Sequence, residues 1–398
     1  MSTKPLISVN VPTSEGQGAE GIHSSVMAYP SHSQYPLNAI SADDNPDTKG
    51  YVSNTNPPPA GSGTGEKNQD QNGGSVAAGR PLHVTPSEQK HSVLEHACTI
   101  DTSRFWAVLI GINGYPGADA LRGCVSDALA MEDFLINDLV VPKDRIQRLL
   151  GPSRDDHFQF MPASSIPTRH NIVETLWGLV DNPNILHGDN IIIYYAGHGT
   201  RYETLAGGHL HSLEALCPID RGTHDADGAL ISDICDREIN AILEQISNAK
   251  GHRITVILDC CHSASATRSP LSAIEKERSI RPIRNLSIED LLKTTDKHLK
   301  RVPGIHSVLE EGWQPNMDSH VAFAACSMVE RALELQGQKG TRGVFTQALL
   351  SALRYGTLGA DASYLDLLDE IEVQWRHSKV QAPLVAGTHK TASLWFKD

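Results

Sequence analysis

Residues 253–269 read RITVILDCCHSASATRS, and no other stretch restricts the fold of this chain so strongly. Ile254–Leu258 is an apolar, β-branched run of the length a buried strand needs. It stops at Asp259, and Cys260, Cys261 and His262 follow, then five small or hydroxylated residues. A second run of the same kind, Asn190–Tyr195 (NIIIYY), ends in Ala196-Gly197-His198-Gly199. Neither run alternates, and helical patterns separate them, which is the signature of parallel strands covered on both faces. In such sheets the site lies beyond the carboxyl ends of the strands. Strands joined by a crossover are usually neighbours, and His198 and Cys261 would then face one another across that edge. A Cys with a His brought close by the fold is the pattern of a thiolate nucleophile and its base.

The rest of the chain supplies the sheet those two strands need. Phe105–Ile112 (FWAVLIGI) reads as a buried strand, followed by a helix with Ala128, Met131, Phe134 and Leu135 at helical spacing. Ile146–Leu150 is a short strand, and Thr168 caps a helix running to about Asp181. A long polar loop to about Ser232 follows His198, and a helix over Arg237–Ala249 returns the chain to the Cys261 strand. The stretch after Cys261 is weakly patterned and basic in spots, with a helical turn or two expected at Ser287–Thr294. His320–Ala325 is another strand, followed by a Gly-rich loop. Helices over Val344–Arg354 and Tyr364–Arg376 come next, and a last strand is expected around Ser393–Phe396. Strand and helix in repeated alternation make an α/β sheet.

Residues 1–95 contain 10 of the 22 prolines and 10 of the 32 glycines, with Pro57-Pro58-Pro59 and polar tracts such as EKNQDQNGG. So little apolar content cannot offset the entropy of ordering, so residues 1–98 are expected to form a disordered extension, a tail or a prodomain. The formal net charge of −13 excludes a general nucleic-acid surface. No apolar run approaches the ~18 residues of a membrane span, and the first residues lack a signal-type apolar core. Seven cysteines, an odd number in a long chain, do not make a disulfide framework. The expected setting is reducing, cytoplasmic or nuclear, and the expected state a monomer.

A thiol becomes a good nucleophile when His⁺ or a helix N-terminus stabilises its charge. The N–H groups of Gly199 and Cys261 are placed to hold the oxyanion of a tetrahedral intermediate, and glycine on both sides of His198 lets a substrate approach the backbone. Spacing alone leaves this dyad balanced against two structural residues. Adjacent Cys260, Cys261 and His262 cannot easily share one tetrahedral zinc, and no C-x-x-C partner exists. A vicinal disulfide is unfavourable in a reducing compartment. His262 is the alternative base, but a neighbour along an extended chain points the other way. Cys260 reads as a packing residue.

The phrases YYAGHG and DCCHS, with GINGY and LRGCVSDA before them and GVFTQALL after, resemble the caspase-like cysteine peptidases, and among them the metacaspases. The resemblance covers about Arg104 to Phe396. It implies a caspase-like α/β fold, a mostly parallel six-stranded sheet flanked by helices. It divides residues 99–398 into a large-subunit-like part (99–267), a processing-type loop (268–317) and a small-subunit-like part (318–398). It implies His198 as base and Cys261 as the nucleophile of a cysteine endopeptidase. Metacaspases cleave after Arg or Lys, and the matching acidic pocket positions are Asp127 and Asp259, with Cys124 and Ala196 beside them. Cys124 and Asp127 are i, i+3 on one helical face, and paired carboxylates suit a guanidinium. Self-processing is expected in the 268–302 loop, after Arg281, Arg284 or Arg301, because exposed loops are where nicking concentrates.

Two departures stand out. Ala196 replaces a frequent Ser, removing a hydroxyl from the pocket. Calcium, which many metacaspases bind, has candidate ligands in Asp220, Asp225, Asp227 and Asp233, with Glu214 and Asp236 nearby. The family's adjacent Asp-Asp pair is missing, since ISDICDRE separates its carboxylates. No metal is therefore expected to be required. The alternative to a protease acting on basic sites in proteins is an inactive caspase-fold scaffold.

Overall fold

The computed structural model describes residues 101–397 apart from 116–119, 152–161, 207–208, 263–274, 301, 303, 311, 327–330, 338–339 and 375–380. The extension expected over residues 1–98 lies outside the described residues.

The strands are β1 (Phe105–Gly111), β2 (Ile146–Leu150), β3 (Asn190–Ala196), β4 (Gly199–Ala206), β5 (His209–Leu216), β6 (Ile234–Cys235), β7 (Ile254–Asp259), β8 (Glu275–Glu277), β9 (Val321–Ala324), β10 (Leu333–Gly337), β11 (Gly340–Gly343) and β12 (Leu384–Ala386). The helices are α1 (Cys124–Asp133), α2 (Arg169–Asp181), α3 (Asp236–Lys250), α4 (Ile288–Leu299), α5 (Val344–Tyr355) and α6 (Tyr364–Gln374). Six strands form the central sheet in the order β12-β9-β7-β3-β1-β2, parallel throughout except for β12, which runs antiparallel to β9. Every residue of β1, β3 and β7 is buried, which is why these strands read as unbroken apolar runs. α1 packs on β1 and β3 and meets α5; α2 packs on β1 and meets α3. The mostly parallel six-stranded sheet with helices around it is the caspase-like architecture expected.

Helix starts follow the local chemistry. Thr168 accepts from Asn171 N at the head of α2, and Ser287 accepts from Asp290 N at the head of α4. α4 extends well beyond the helical turn or two expected there, because Leu291, Leu292 and Leu299 bury against Tyr202, Leu213 and Ala215 in a second small core.

Three expectations require correction. The polar stretch after His198 is not a loop: β4 and β5 form an antiparallel hairpin joined by β6. The Arg201–Glu214 ion pair, 2.9 Å across that hairpin, puts charge where alternation would otherwise show. The Gly-rich stretch after β9 contains β10 and β11, which with β8 make a third sheet. Residues 393–396 are not a strand either: Leu394–Phe396 form a single tight turn with positive φ at Trp395 and Phe396. Both rings point into an aromatic cluster with Phe105, Tyr364 and His252, and the last strand is β12. No helix among the described residues is long and apolar enough to cross a membrane.

Candidate active site

β3 and β7 lie side by side in parallel, with Ala196 opposite Asp259. His198 and Cys261 each stand two residues beyond that pair, on neighbouring strand ends about 4.8 Å apart. His198 is pinned along its backbone. Its N–H donates to Tyr115 Oη at 2.8 Å, and its carbonyl accepts from Tyr195 Oη at 2.7 Å and from Cys217 N at 3.1 Å. The Tyr115 ring lies 4.7 Å from the imidazole, centroid to centroid. Burial pushes both phenols up, so each stays a neutral donor. Gly199 follows His198, and a Cβ there would lie 2.6 Å from Cys261 O and 2.8 Å from the His262 ring. Only glycine lets these two strand ends come so close.

The His262 ring packs against Gly199 and commits its nitrogens elsewhere, Nδ1 3.5 Å from Glu214 Oε2 and Nε2 3.8 Å from Cys260 Sγ. Cys260 is buried, and desolvation pushes its thiol up, which keeps it inert.

Beside His198 and Cys261 is an acidic pocket that the fold assembles from three distant segments. α1 supplies Asp127 from its first turn, β7 ends in Asp259, and β10 supplies Glu334. All three are buried, and they converge on Arg278, itself wholly buried. Arg278 Nη1 is 2.7 Å from Asp259 Oδ2; Nη2 bonds Asp127 Oδ2 and is 3.6 Å from Glu334 Oε2. Backbone amides hold the carboxylates in turn: Gly343 N donates to Asp127 at 2.7 Å, and Arg122 N and Gly123 N donate to Glu334, each at 2.9 Å. A Cβ on Gly343 would press directly on Asp259, Arg278 and Asp127, so the pocket wall there must be bare backbone. Cys124 opens α1 fully buried, its thiol raised by desolvation, and Ala196 is likewise buried at the end of β3.

The segment that carries Arg278 lies in the cleft as an extended strand. β8 pairs antiparallel with β10, Glu277 opposite Leu333 and Lys276 opposite Glu334. Arg278 N then donates to Ala332 O at 2.9 Å. Its carbonyl oxygen accepts from Gly199 N and from Cys261 N, both at 3.1 Å, and Ile280 N donates to Gly199 O at 3.0 Å. The two N–H groups singled out for an oxyanion therefore converge on one carbonyl, that of Arg278.

Arg278 and Glu334 were not singled out as site residues from the sequence. A signal for Glu334 exists: it is a lone carboxylate inside the otherwise apolar Ala332–Leu335. Arg278 has none, being one of several basic residues in its segment. Arg281 and Arg284 lie beyond the cleft-bound strand, and Arg301 falls outside the described residues.

The carboxylates of the acidic loop are engaged by protein groups. Asp233 accepts from Arg221 Nε at 2.6 Å and Nη2 at 2.8 Å, and from Tyr202 Oη at 2.6 Å. Asp220 caps Arg169 N at 2.8 Å, and Asp225 binds the amides of Asp227 and Ala229 within its own turn. Glu214 is committed to Arg201 and His262. No group of three His, Cys, Asp or Glu suited to a metal ion occurs among the described residues.

Comparison with known proteins bears on this geometry. Residues 106–270, which include both strand ends, match the metacaspase, peptidase C14 domain. Metacaspase-1 of Eremothecium gossypii is 31% identical over 201 residues, 48% of this chain and 40% of that protein. Metacaspase-3 of Arabidopsis thaliana is 30% identical over 165 residues, 41% of each chain. Metacaspase-1 of Saccharomyces cerevisiae is 26% identical over 313 residues, 72% of this chain and 67% of that protein. The chain thus spans less than half the length of the first two relatives. The matched segment contains both strand ends, His198 and Cys261, and over residues 106–270 the chain is similar to the metacaspase, peptidase C14 domain.

Proposed function

We propose that this protein is a cysteine endopeptidase that cleaves after Arg or Lys, and that Arg278–Ser279 is the bond it cuts in its own chain. The observation that carries the reading is the placement of Arg278. Its guanidinium lies among three carboxylates while its carbonyl accepts from Gly199 N and Cys261 N.

His198 takes the thiol proton and Cys261 Sγ attacks the carbonyl carbon. The oxygen, becoming an anion, strengthens the two N–H contacts it already has, and each such donor contributes a few kcal/mol at the transition state. The C–N bond then breaks, His198 returns its proton to the departing Ser279 nitrogen, and a thioester remains. Water, deprotonated by His198, hydrolyses the thioester and regenerates the thiol. A basic side chain suits the pocket because Asp127, Asp259 and Glu334 repel one another without a cation, whereas an Asp there would add a fourth unpaired carboxylate. We further propose that it acts on proteins, as a monomer, in the cytoplasm or nucleus, where the free thiols of Cys124, Cys217, Cys235, Cys260, Cys261 and Cys326 stay reduced.

A scaffold reading draws on the same feature, since Cys261 is fully buried under the chain's own strand. Mass spectrometry of the purified protein separates the two. The wild type should yield a fragment ending at Arg278 and another beginning at Ser279, while Cys261→Ala and His198→Ala stay intact and folded. A wild type that stays whole and leaves Arg peptides untouched would establish the scaffold instead; cleavage persisting in Cys261→Ala would remove the dyad.

A further inference from the structure

We propose that Arg331 is a specificity-determining residue that selects an acidic side chain immediately before the basic one, so that the preferred substrate is an acidic–basic pair cut after the base. The inference rests on reading residues 275–280 as the enzyme's own bound substrate, and it concerns a different side chain and a different subsite from the pocket around Arg278.

Glu277 occupies the position preceding Arg278 in the cleft-bound strand. Its Oε2 is 3.3 Å from Arg331 Nε, and both side chains are 16% exposed. The other oxygen, Oε1, accepts from Ser279 Oγ at 2.6 Å, across the bond to be cut. Arg331 is not part of the substrate strand. It precedes Ala332, whose carbonyl receives Arg278 N, and β10, whose edge receives β8. The guanidinium is therefore a fixed feature of the receiving edge, aimed at whatever side chain follows the strand alternation into that place. In a partly water-excluded cleft a guanidinium accepts a carboxylate and disfavours a second cation. The position before Glu277 is read differently: Lys276 Nζ donates to Ala120 O, an exposed backbone carbonyl, and backbone carbonyls are present whatever the side chains around them. Selectivity thus concentrates on two neighbouring places of opposite charge.

The test uses three fluorogenic peptides with Glu-Arg, Gln-Arg or Lys-Arg before the scissile bond, on wild type and on Arg331→Glu. Wild type should favour Glu-Arg over Gln-Arg by about fivefold in kcat/KM, the scale of one partly exposed ion pair. It should disfavour Lys-Arg further, with the difference mainly in KM because the contact is remote from the reacting carbon. Arg331→Glu should reverse the order, with Lys-Arg turned over faster than Glu-Arg. Self-cleavage gives a second readout: Glu277→Lys and Arg331→Glu should each slow it, and the double variant should recover. Equal turnover of all three peptides by wild type would overturn the inference while leaving the cut after Arg in place. A uniform loss in Arg331→Glu would do the same, by making the residue merely structural. If no Arg peptide is cut at all, the proposed function fails and takes this inference with it.

Discussion

At the scale of single residues, the proposed reading makes Asp127 the group whose charge sets how well the pocket holds a base. Burial raises its carboxyl to about 6; Asp259 adds to the rise and Arg278 opposes it. An emptied pocket loses the opposing guanidinium, so the carboxyl there titrates higher still. The pKa with a base bound is therefore the lower of the two, and a basic side chain enters with release of a proton. Affinity must rise with pH, beginning at about 6 and levelling off once the empty pocket is itself ionised. KM for an Arg peptide is expected to fall over that interval. Asp127→Asn should flatten the fall and raise KM at the alkaline end by about thirtyfold, the loss of one partner of a buried charge pair. Steady-state profiles of the two proteins decide it, and an unchanged pH dependence of KM in Asp127→Asn would assign the titration to another group. The residues of this site differ in how openly they are written. His198 and Cys261 end apolar runs and are flanked by glycine and small residues, so their place at a strand end can be read locally. Glu334 and Arg278 reach the pocket only because β10 and β8 pair, a contact formed by tertiary structure and carried by no periodicity.

At the scale of elements, the same contrast separates the central sheet from the two smaller ones. β1, β3 and β7 are buried on both faces and are apolar apart from Asn190, Thr255 and the terminal Asp259. One face of β4 and β5 carries Tyr202 and Leu213 against α4, and the rest carries charged residues that resemble loop composition. That hairpin also determines the fate of the acidic loop. Arg221 and Tyr202 already saturate Asp233, and Asp220 and Asp225 serve as caps of backbone N–H groups. A calcium ion would have to displace a guanidinium to reach Asp233. Binding is expected at the weak end of the known range, ~10⁻⁴–10⁻³ M, with little change in activity. Calorimetry that found micromolar affinity, lost in Asp225→Asn/Asp227→Asn, would show that the loop rearranges around the ion.

At the scale of the whole molecule, the cleft is closed by a strand of the same chain, and under the proposed function this sets the kinetics expected for self-processing. The Arg278 carbonyl already accepts from Gly199 N and Cys261 N, so its approach to the thiol needs no second molecule. Such a bond experiences an effective concentration in the millimolar range or above, far beyond any concentration of free protein in an assay. A second copy, by contrast, would have to extract a fully buried Arg278 from between three carboxylates, leaving them unpaired at a cost of about 3–5 kcal/mol. Processing is therefore expected to be first order, with one half-life across a hundredfold range of protein concentration. Active enzyme mixed with Cys261→Ala protein should leave the latter whole. Arg278→Lys should keep the cut, since an ammonium still neutralises the pocket. Arg278→Gln should slow it by about a hundredfold and lower the melting temperature, because the buried carboxylates then face a neutral amide. Time courses resolved by gel at several concentrations are sufficient. A rate proportional to concentration, or efficient cutting of the Cys261→Ala chain after Arg278, would mean that this strand leaves the cleft before it is cut.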